Sequence, residues 1–163
     1  MSKIEDRLNE LGFPLPQLAA PAGSYLPAVK SGDLVFTSGQ LPFRDGELAN
    51  PGRLGDNVTV EQAQESARYS VLNALAAAKS VIGDLDKIER VVKVNGFVTS
   101  TDDFKQQPEV INGASDFLAD IFGEAGQHAR SALGTNALPK GTCVEIEFIF
   151  RAVSYTHLRA HET

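Results

Sequence analysis

The stretch Gln-His-Ala-Arg-Ser-Ala-Leu-Gly-Thr-Asn-Ala-Leu-Pro-Lys-Gly-Thr-Cys-Val-Glu-Ile-Glu-Phe-Ile-Phe-Arg, residues 127–151, reads as two β segments around a turn. Ala-Leu-Pro-Lys-Gly at 137–141 has the Pro and Gly punctuation of a connection. After it, Val144, Ile146, Phe148 and Phe150 alternate with Glu145, Glu147 and Arg151. Successive strand side chains point to opposite sides, so this segment has one apolar and one charged face. A solvated outer strand accounts for Glu147. Arg130 is different, because Ala129, Ala132 and Leu133 surround it and no carboxylate is near it in sequence. A guanidinium in such company calls for an anionic partner from elsewhere, since a buried unpaired charge is costly.

Working outward, Val91 to Val98 is β-branched and apolar on both faces for much of its length, which predicts an internal strand. Thr59 to about Ile82 is the clearest helix. Thr59 and Gln62 are spaced as a capping box, Val60, Ala63, Ala67, Val71, Leu75, Ala78 and Ile82 repeat at helical spacing, and Gly83 stops the run. Ala74, Ala76, Ala77 and Ala78 suggest close approach to a sheet. A second helical region is expected from Ser100-Thr101-Asp102, with Pro108 at the first position of the main helix and Ile111, Ala114, Phe117, Leu118 and Ile121 on its buried stripe. Asn73 and Asn112 are the odd polar members of these helices.

Upstream, Ile4, Leu8 and Leu11 share a helical face that Gly12 ends, and two prolines favour extended backbone at 13–16. A strand or extended arm is expected from Tyr25 to Lys30, a tight turn at Ser31-Gly32-Asp33, and a buried strand from Leu34 to Gly39. Together they make a hairpin. Residues 40–57, rich in Gly, Pro, Asn, Asp and Arg, read as a long surface loop. The resulting order, strand–strand–helix–strand–helix–strand–strand, predicts an α+β sandwich with two long helices on one face of a mixed sheet. The sheet's other face also carries Val, Phe and Leu, which predicts a homo-oligomer with those faces packed together.

Composition narrows the function. At 163 residues, 42% of them hydrophobic and 22% charged, the chain predicts a single globular domain over 1–153, with 1–20 as an N-terminal arm. The tail at 154–163 continues neither the strand alternation nor a helical stripe and reads as non-native or disordered. It holds His157 and His161, leaving His128 as the one histidine for a site, so a metal centre built on several imidazoles is not expected. A net charge of −6 with no basic cluster argues against nucleic acid. A charged N-terminus, the lack of a bilayer-length apolar run and a single cysteine, Cys143, predict a cytoplasmic protein with no membrane partner.

Four segments occur in an order that resembles the Rid (YjgF) family: Leu34 to Pro42, Asp103-Phe104, Ala129-Arg130-Ser131, and Leu138 to Glu147. The resemblance runs from about Pro21 to Val153. It implies a chorismate-mutase-like sandwich assembled as a homotrimer with clefts between subunits, and an imine or enamine deaminase activity that uses no cofactor. By the same resemblance Arg130 corresponds to the residue that binds a substrate carboxylate and Glu145 to the one that positions or activates water. Tyr25 and Ser38 correspond to pocket residues, and Asn112 to an Asn of the second helix. His128 stands where the family usually has Pro, Ala132 where deaminases usually have Cys, and Leu26-Pro27 where they usually have Ser-Gln.

The chemistry is sound on its own terms. A planar guanidinium can hold a carboxylate bidentately, and a carboxylate such as Glu145 can accept a proton from attacking water. His128 could tune such a pocket, serve as acid, or be a surface-loop histidine. The residues leave open a structural ion pair between Arg130 and Glu145, a non-catalytic binder of small carboxylates in the same cleft, and an endoribonuclease. Acidity and the absence of stacking aromatics in a basic groove weigh against the last.

Overall fold

A computed structural model describes residues 2–21 and 23–153 of the chain. The expected tail at 154–163, with His157 and His161, lies outside the described residues. Three α-helices, α1 (Lys3–Glu10), α2 (Val60–Ile82) and α3 (Gln107–Phe122), accompany seven strands: β1 (Ala28–Ser31), β2 (Leu34–Thr37), β3 (Phe43–Arg44), β4 (Glu47–Leu48), β5 (Ile88–Thr99), β6 (Ala129–Thr135) and β7 (Val144–Ala152). No helix among the described residues is long and apolar enough to cross a membrane.

Five strands form one sheet in the order β1-β2-β7-β5-β6, with β5 and β6 parallel and the other pairs antiparallel. The two β segments of residues 127–151 are therefore not a hairpin: β5 lies between them. The reason is the crossover. Chain leaving β5 passes through α3 and returns as β6 in the same direction, as a parallel pair requires. β7 then enters between β2 and β5 and becomes the middle strand. The expectation of a solvated outer strand for Glu147 fails for the same reason, and Glu147 instead accepts a 3.0 Å hydrogen bond from Asn95 of neighbouring β5.

Sequence chemistry explains the elements. Thr59 and Gln62 do form a capping box on α2, with Thr59 Oγ1 accepting from Gln62 N at 3.1 Å and Gln62 Oε1 accepting from Thr59 N at 2.9 Å. Pro108 sits in the first turn of α3, where its missing N–H costs nothing. The main helix starts at Gln107, in keeping with Pro108 in its first turn, but the helical region expected from Ser100 does not form ahead of it. Ser100 instead makes a β-bridge with Leu54, and in the turn that follows Thr101 Oγ1 donates to Asp103 Oδ1 at 2.7 Å. That local side-chain bond competes with helical backbone pairing. The expected loop at 40–57 contains the small β3–β4 hairpin, turned through Asp45 and Gly46 at φ 51° and 83°.

The core lies between the helices and one face of the sheet. Val144, Ile146, Phe148 and Phe150 of β7 are each no more than 1% exposed, and Ala67, Val71, Ala74, Ala77 and Ala78 of α2 are fully buried with them. Helices α2 and α3 cross closely because Gly113 has no side chain; a Cβ there would lie 2.6 Å from the backbone of Gln64. The opposite face of the sheet is not covered by these helices and mixes apolar with charged side chains, Glu145, Glu147 and Lys93 among them. Val29 and Phe36, paired across β1 and β2 at one edge, and Leu133 of β6 at the other are exposed there by 46%, 37% and 53%. Large exposed apolar side chains on such a face suit an interaction surface.

Candidate functional site

Register assigns the two principal candidates to opposite faces of the sheet. Arg130 pairs with Val94, which pairs with Phe148, and both of these are buried under the helices. Glu145 pairs with Phe97, three residues further along β5, and so faces the uncovered side. No ion pair joins them. The charged residues occupy two separate concavities of the single chain.

Glu145 lies in a cleft of ≈ 530 Å³, with Tyr25, Ser38, Gln40, Asn73 and Lys140 among its polar lining and Leu18 to Pro21 of the N-terminal arm among its apolar lining. The carboxylate lies directly over Gly39; a Cβ at that position would collide with it. Ser38 Oγ donates to the Leu26 carbonyl at 2.6 Å and Ser38 N to the Pro27 carbonyl at 2.9 Å, which ties the Tyr25 segment to the end of β2. Tyr25 itself is half exposed. Gln40 Nε2 donates to Ser38 O at 3.0 Å, and Asn73 is spent on the Leu41 and Phe43 carbonyls at 3.1 and 3.0 Å. None of the described residues donates a hydrogen bond to Glu145. Burial, and then the negative charge of Glu147, push its carboxyl above the ordinary range. Such a carboxylate holds a proton more readily than one in water, which suits it to accept and return protons.

Arg130 stands at the other side of the sheet, on edge strand β6. Its Nη1 donates to Asn112 Oδ1 at 2.7 Å and to Ser115 Oγ at 3.1 Å, both on α3. Ser115 Oγ is also 2.9 Å from His128 Nε2, and His128 Nδ1 is 2.6 Å from the Gly126 carbonyl. Arg130, Ser115, His128 and Gly126, with Asp116 and Ala119, line a shallow concavity of ≈ 330 Å³. Among the described residues the ion pairs are Arg7–Glu10 and Lys79–Glu5, so none of these residues supplies the anionic partner expected for Arg130. The guanidinium is held by neutral groups and keeps its charge available. His128 is half-buried rather than a free loop residue. Burial lowers its pKa, the Gly126 carbonyl opposes that, and the Arg130 charge lowers it further.

The six expected residues thus divide. Tyr25, Ser38 and Glu145 line one cleft; Asn112, His128 and Arg130 form the other cluster. Ser115 and Lys140 were not among the expected residues. Ser115 could have been found from its place three residues after Asn112, which puts both on one helical face toward β6. Lys140 at φ 59° points its ammonium over the Phe43 ring, 5.5 Å from the centroid, a placement that depends on the turn. Cys143 is fully buried, with its thiol pushed up by burial, and is part of the core. Among the described residues no group of three His, Cys, Asp or Glu side chains could hold a metal ion.

Comparison with known proteins agrees with this architecture. Residues 5–151 match the family described as "YjgF/chorismate mutase-like, putative endoribonuclease". The protein TCP17 of Trypanosoma cruzi is 42% identical over 89% of this chain and 91% of its own length. A 2-iminobutanoate/2-iminopropanoate deaminase of Dermatophagoides farinae is 32% identical over 82% of this chain and 90% of its own. The crystal structure of Atu1372 from Agrobacterium tumefaciens, a protein of unknown function, superposes with a TM-score of 0.85 at 46% identity, covering 91% of each chain. With residues 5–151 matched by the family and a superposition covering 91% of each chain, the chain belongs to the YjgF, or Rid, family.

Proposed function

We propose that the protein hydrolyses reactive 2-imino and 2-enamino acids in a site completed between copies of the chain. Arg130 of one copy binds the substrate carboxylate, and Glu145 of another positions the attacking water. The observation that carries this reading is the separation itself. One chain presents a pre-oriented, un-neutralised guanidinium and an under-bonded carboxylate on opposite faces. Neither concavity of one chain brings Arg130 and Glu145 together, and Lys140, the cation in the Glu145 cleft, is placed over the Phe43 ring. The exposed Val29, Phe36 and Leu133 on the uncovered face supply an apolar surface for association, and we infer a homotrimer.

In the proposed reaction the water oxygen bonds to the electrophilic imine carbon while Glu145 takes a proton from it. The C–N bond then breaks, with the amine leaving as ammonia on receiving protons through the same carboxyl group. The products are a 2-oxo acid and ammonia, and no external oxidant or reductant enters. Tyr25 and Ser38 line the pocket, and Asn112 holds Arg130. The mite relative's name supports this reaction class. Positioning of carboxylate and water provides much of the acceleration. We assign the activity to the cytoplasm.

A second reading, a non-catalytic binder of small carboxylates, is favoured by the Arg130 cluster, which needs no Glu145 to hold an anion. An endoribonuclease is the weakest reading for a chain with a net charge of −6. Semicarbazide trapping of freshly generated iminoacrylate decides the first two. The wild type should speed its decay and Arg130→Ala should not. Equal decay with both proteins would defeat the deaminase, whereas ligand binding without turnover would establish the binder. Sedimentation at micromolar concentration should show a trimer, and a stable monomer there removes the shared site.

A further inference from the structure

The bonds around Arg130 have an internal direction that the pairwise distances do not state. Gly126 O can only accept, so His128 Nδ1, 2.6 Å away, carries the hydrogen. In a neutral imidazole, Nε2 is then an acceptor, and the group 2.9 Å from it is the Ser115 hydroxyl. Ser115 therefore gives its only hydrogen to His128. Its oxygen is left as an acceptor, and Arg130 Nη1 donates to it at 3.1 Å while also donating to Asn112 Oδ1 at 2.7 Å. Every hydrogen in the chain of bonds has one destination.

We propose that Ser115 and His128 are positioning residues. They form a relay that orients the hydroxyl oxygen of Ser115 toward Arg130 and so fixes the guanidinium plane for a substrate carboxylate. This rests on the reading of Arg130 as the carboxylate holder. Asn112 alone provides one contact to Nη1, about which an arginine side chain can still swing; two acceptors on the same nitrogen, three residues apart on one rigid helix, define its direction. Tying down Nη1 leaves Nε and Nη2 for the planar, two-point contact that suits a carboxylate. Both acceptors are neutral, so they orient the cation without cancelling it.

Burial and the Arg130 charge lower the pKa of His128, favouring the neutral ring that the relay needs. The charged groups bordering His128 are Arg130 on β6 and Asp116 on α3 in one concavity, and Arg90 on β5 in the other. A direct nucleophilic role for Ser115 is disfavoured by the same geometry. An oxygen already accepting from a guanidinium has its lone-pair density drawn away from any electrophile.

Calorimetric titration of the full-length protein with pyruvate, which has a carboxylate, and pyruvamide, which is its neutral counterpart, tests the relay. Ser115→Ala and His128→Phe should weaken pyruvate binding on the order of tenfold. Pyruvamide should be unaffected, and Ser115→Thr, which keeps the hydroxyl, should restore pyruvate affinity. Equal losses for both ligands would mean a merely structural role and overturn the proposal. Should Arg130→Ala lose pyruvate while Ser115→Ala and His128→Phe keep it, the relay fails and the carboxylate reading stands. If Arg130→Ala binds pyruvate like wild type, the carboxylate reading itself fails. Nitrogen-15 spectra of the unmutated protein give a check that no folding defect can confound. The His128 ring should be the Nδ1–H tautomer, and an Nε2–H tautomer would overturn the relay.

Discussion

The Arg130 cluster and the Glu145 cleft are built on opposite principles. Around Arg130, Nη1 is held by two neutral acceptors of α3, one of them bonded in turn to His128, so the cation is oriented and remains charged. Around Glu145, burial and a second carboxylate are matched by no donor among the described residues, so its ionised form is held at a cost. Satisfied groups orient, and unsatisfied ones react. The contrast shows why a fold can distribute binding and proton transfer between two faces of one sheet: each needs surroundings that would spoil the other.

The largest test of that contrast is Glu145→Gln. In trapping kinetics kcat should fall by about 10²–10⁴, the usual contribution of a positioned base. Stability should move the other way. Because burial holds the folded pKa above the ordinary value of 4.5, the folded state binds the proton more tightly, and stability falls as pH rises from 4.5 through the folded value. At pH 7 the variant should therefore melt higher than wild type, and below 4.5 the two should converge. A variant that melts lower at pH 7 would show that Glu145 has partners and would erase the contrast.

A second test compares the two sheet faces. Phe148→Ala under the helices should cost about 3–5 kcal/mol in denaturant unfolding. Leu133→Ser on the uncovered face should change the stability of an isolated chain by only about 0.5 kcal/mol. If that face is the association surface, Leu133→Ser should shift sedimentation toward monomer.

Smaller than either should be Gly39→Ala. Its added methyl must displace the Glu145 carboxylate, so kcat should fall without loss of fold, as judged by circular dichroism. Unchanged kcat would mean that the position of Glu145 over Gly39 is immaterial.

The smallest effect is expected at His128. Its folded pKa lies below the ordinary value of 6.5, so the unfolded chain takes the proton first and stability falls as pH drops from about 6.5 toward the folded value. Melting curves of His128→Phe should lack that slope, and an unaltered slope would place the titration elsewhere.

Periodicity and local signals determined much on their own. The α2 capping box, the β7 alternation, the β1–β2 hairpin and the stop at Gly83 are decided by neighbours within a few residues, where a backbone finds or lacks its local partners. Arg130, Glu145, Tyr25, Ser38, Asn112 and His128 were all legible as candidates by residue type and resemblance. Their grouping was not. Which face a strand residue takes depends on register, and register depends on the order of strands, which the β5–α3–β6 crossover settles by inserting β5 between β6 and β7. The pairing of Glu147 with Asn95 follows from the same long-range choice. Sequence alone specified the groups and the elements that bear them. Only the packed sheet decided that acid and cation face opposite ways, because strand order is set by contacts between residues far apart in the chain.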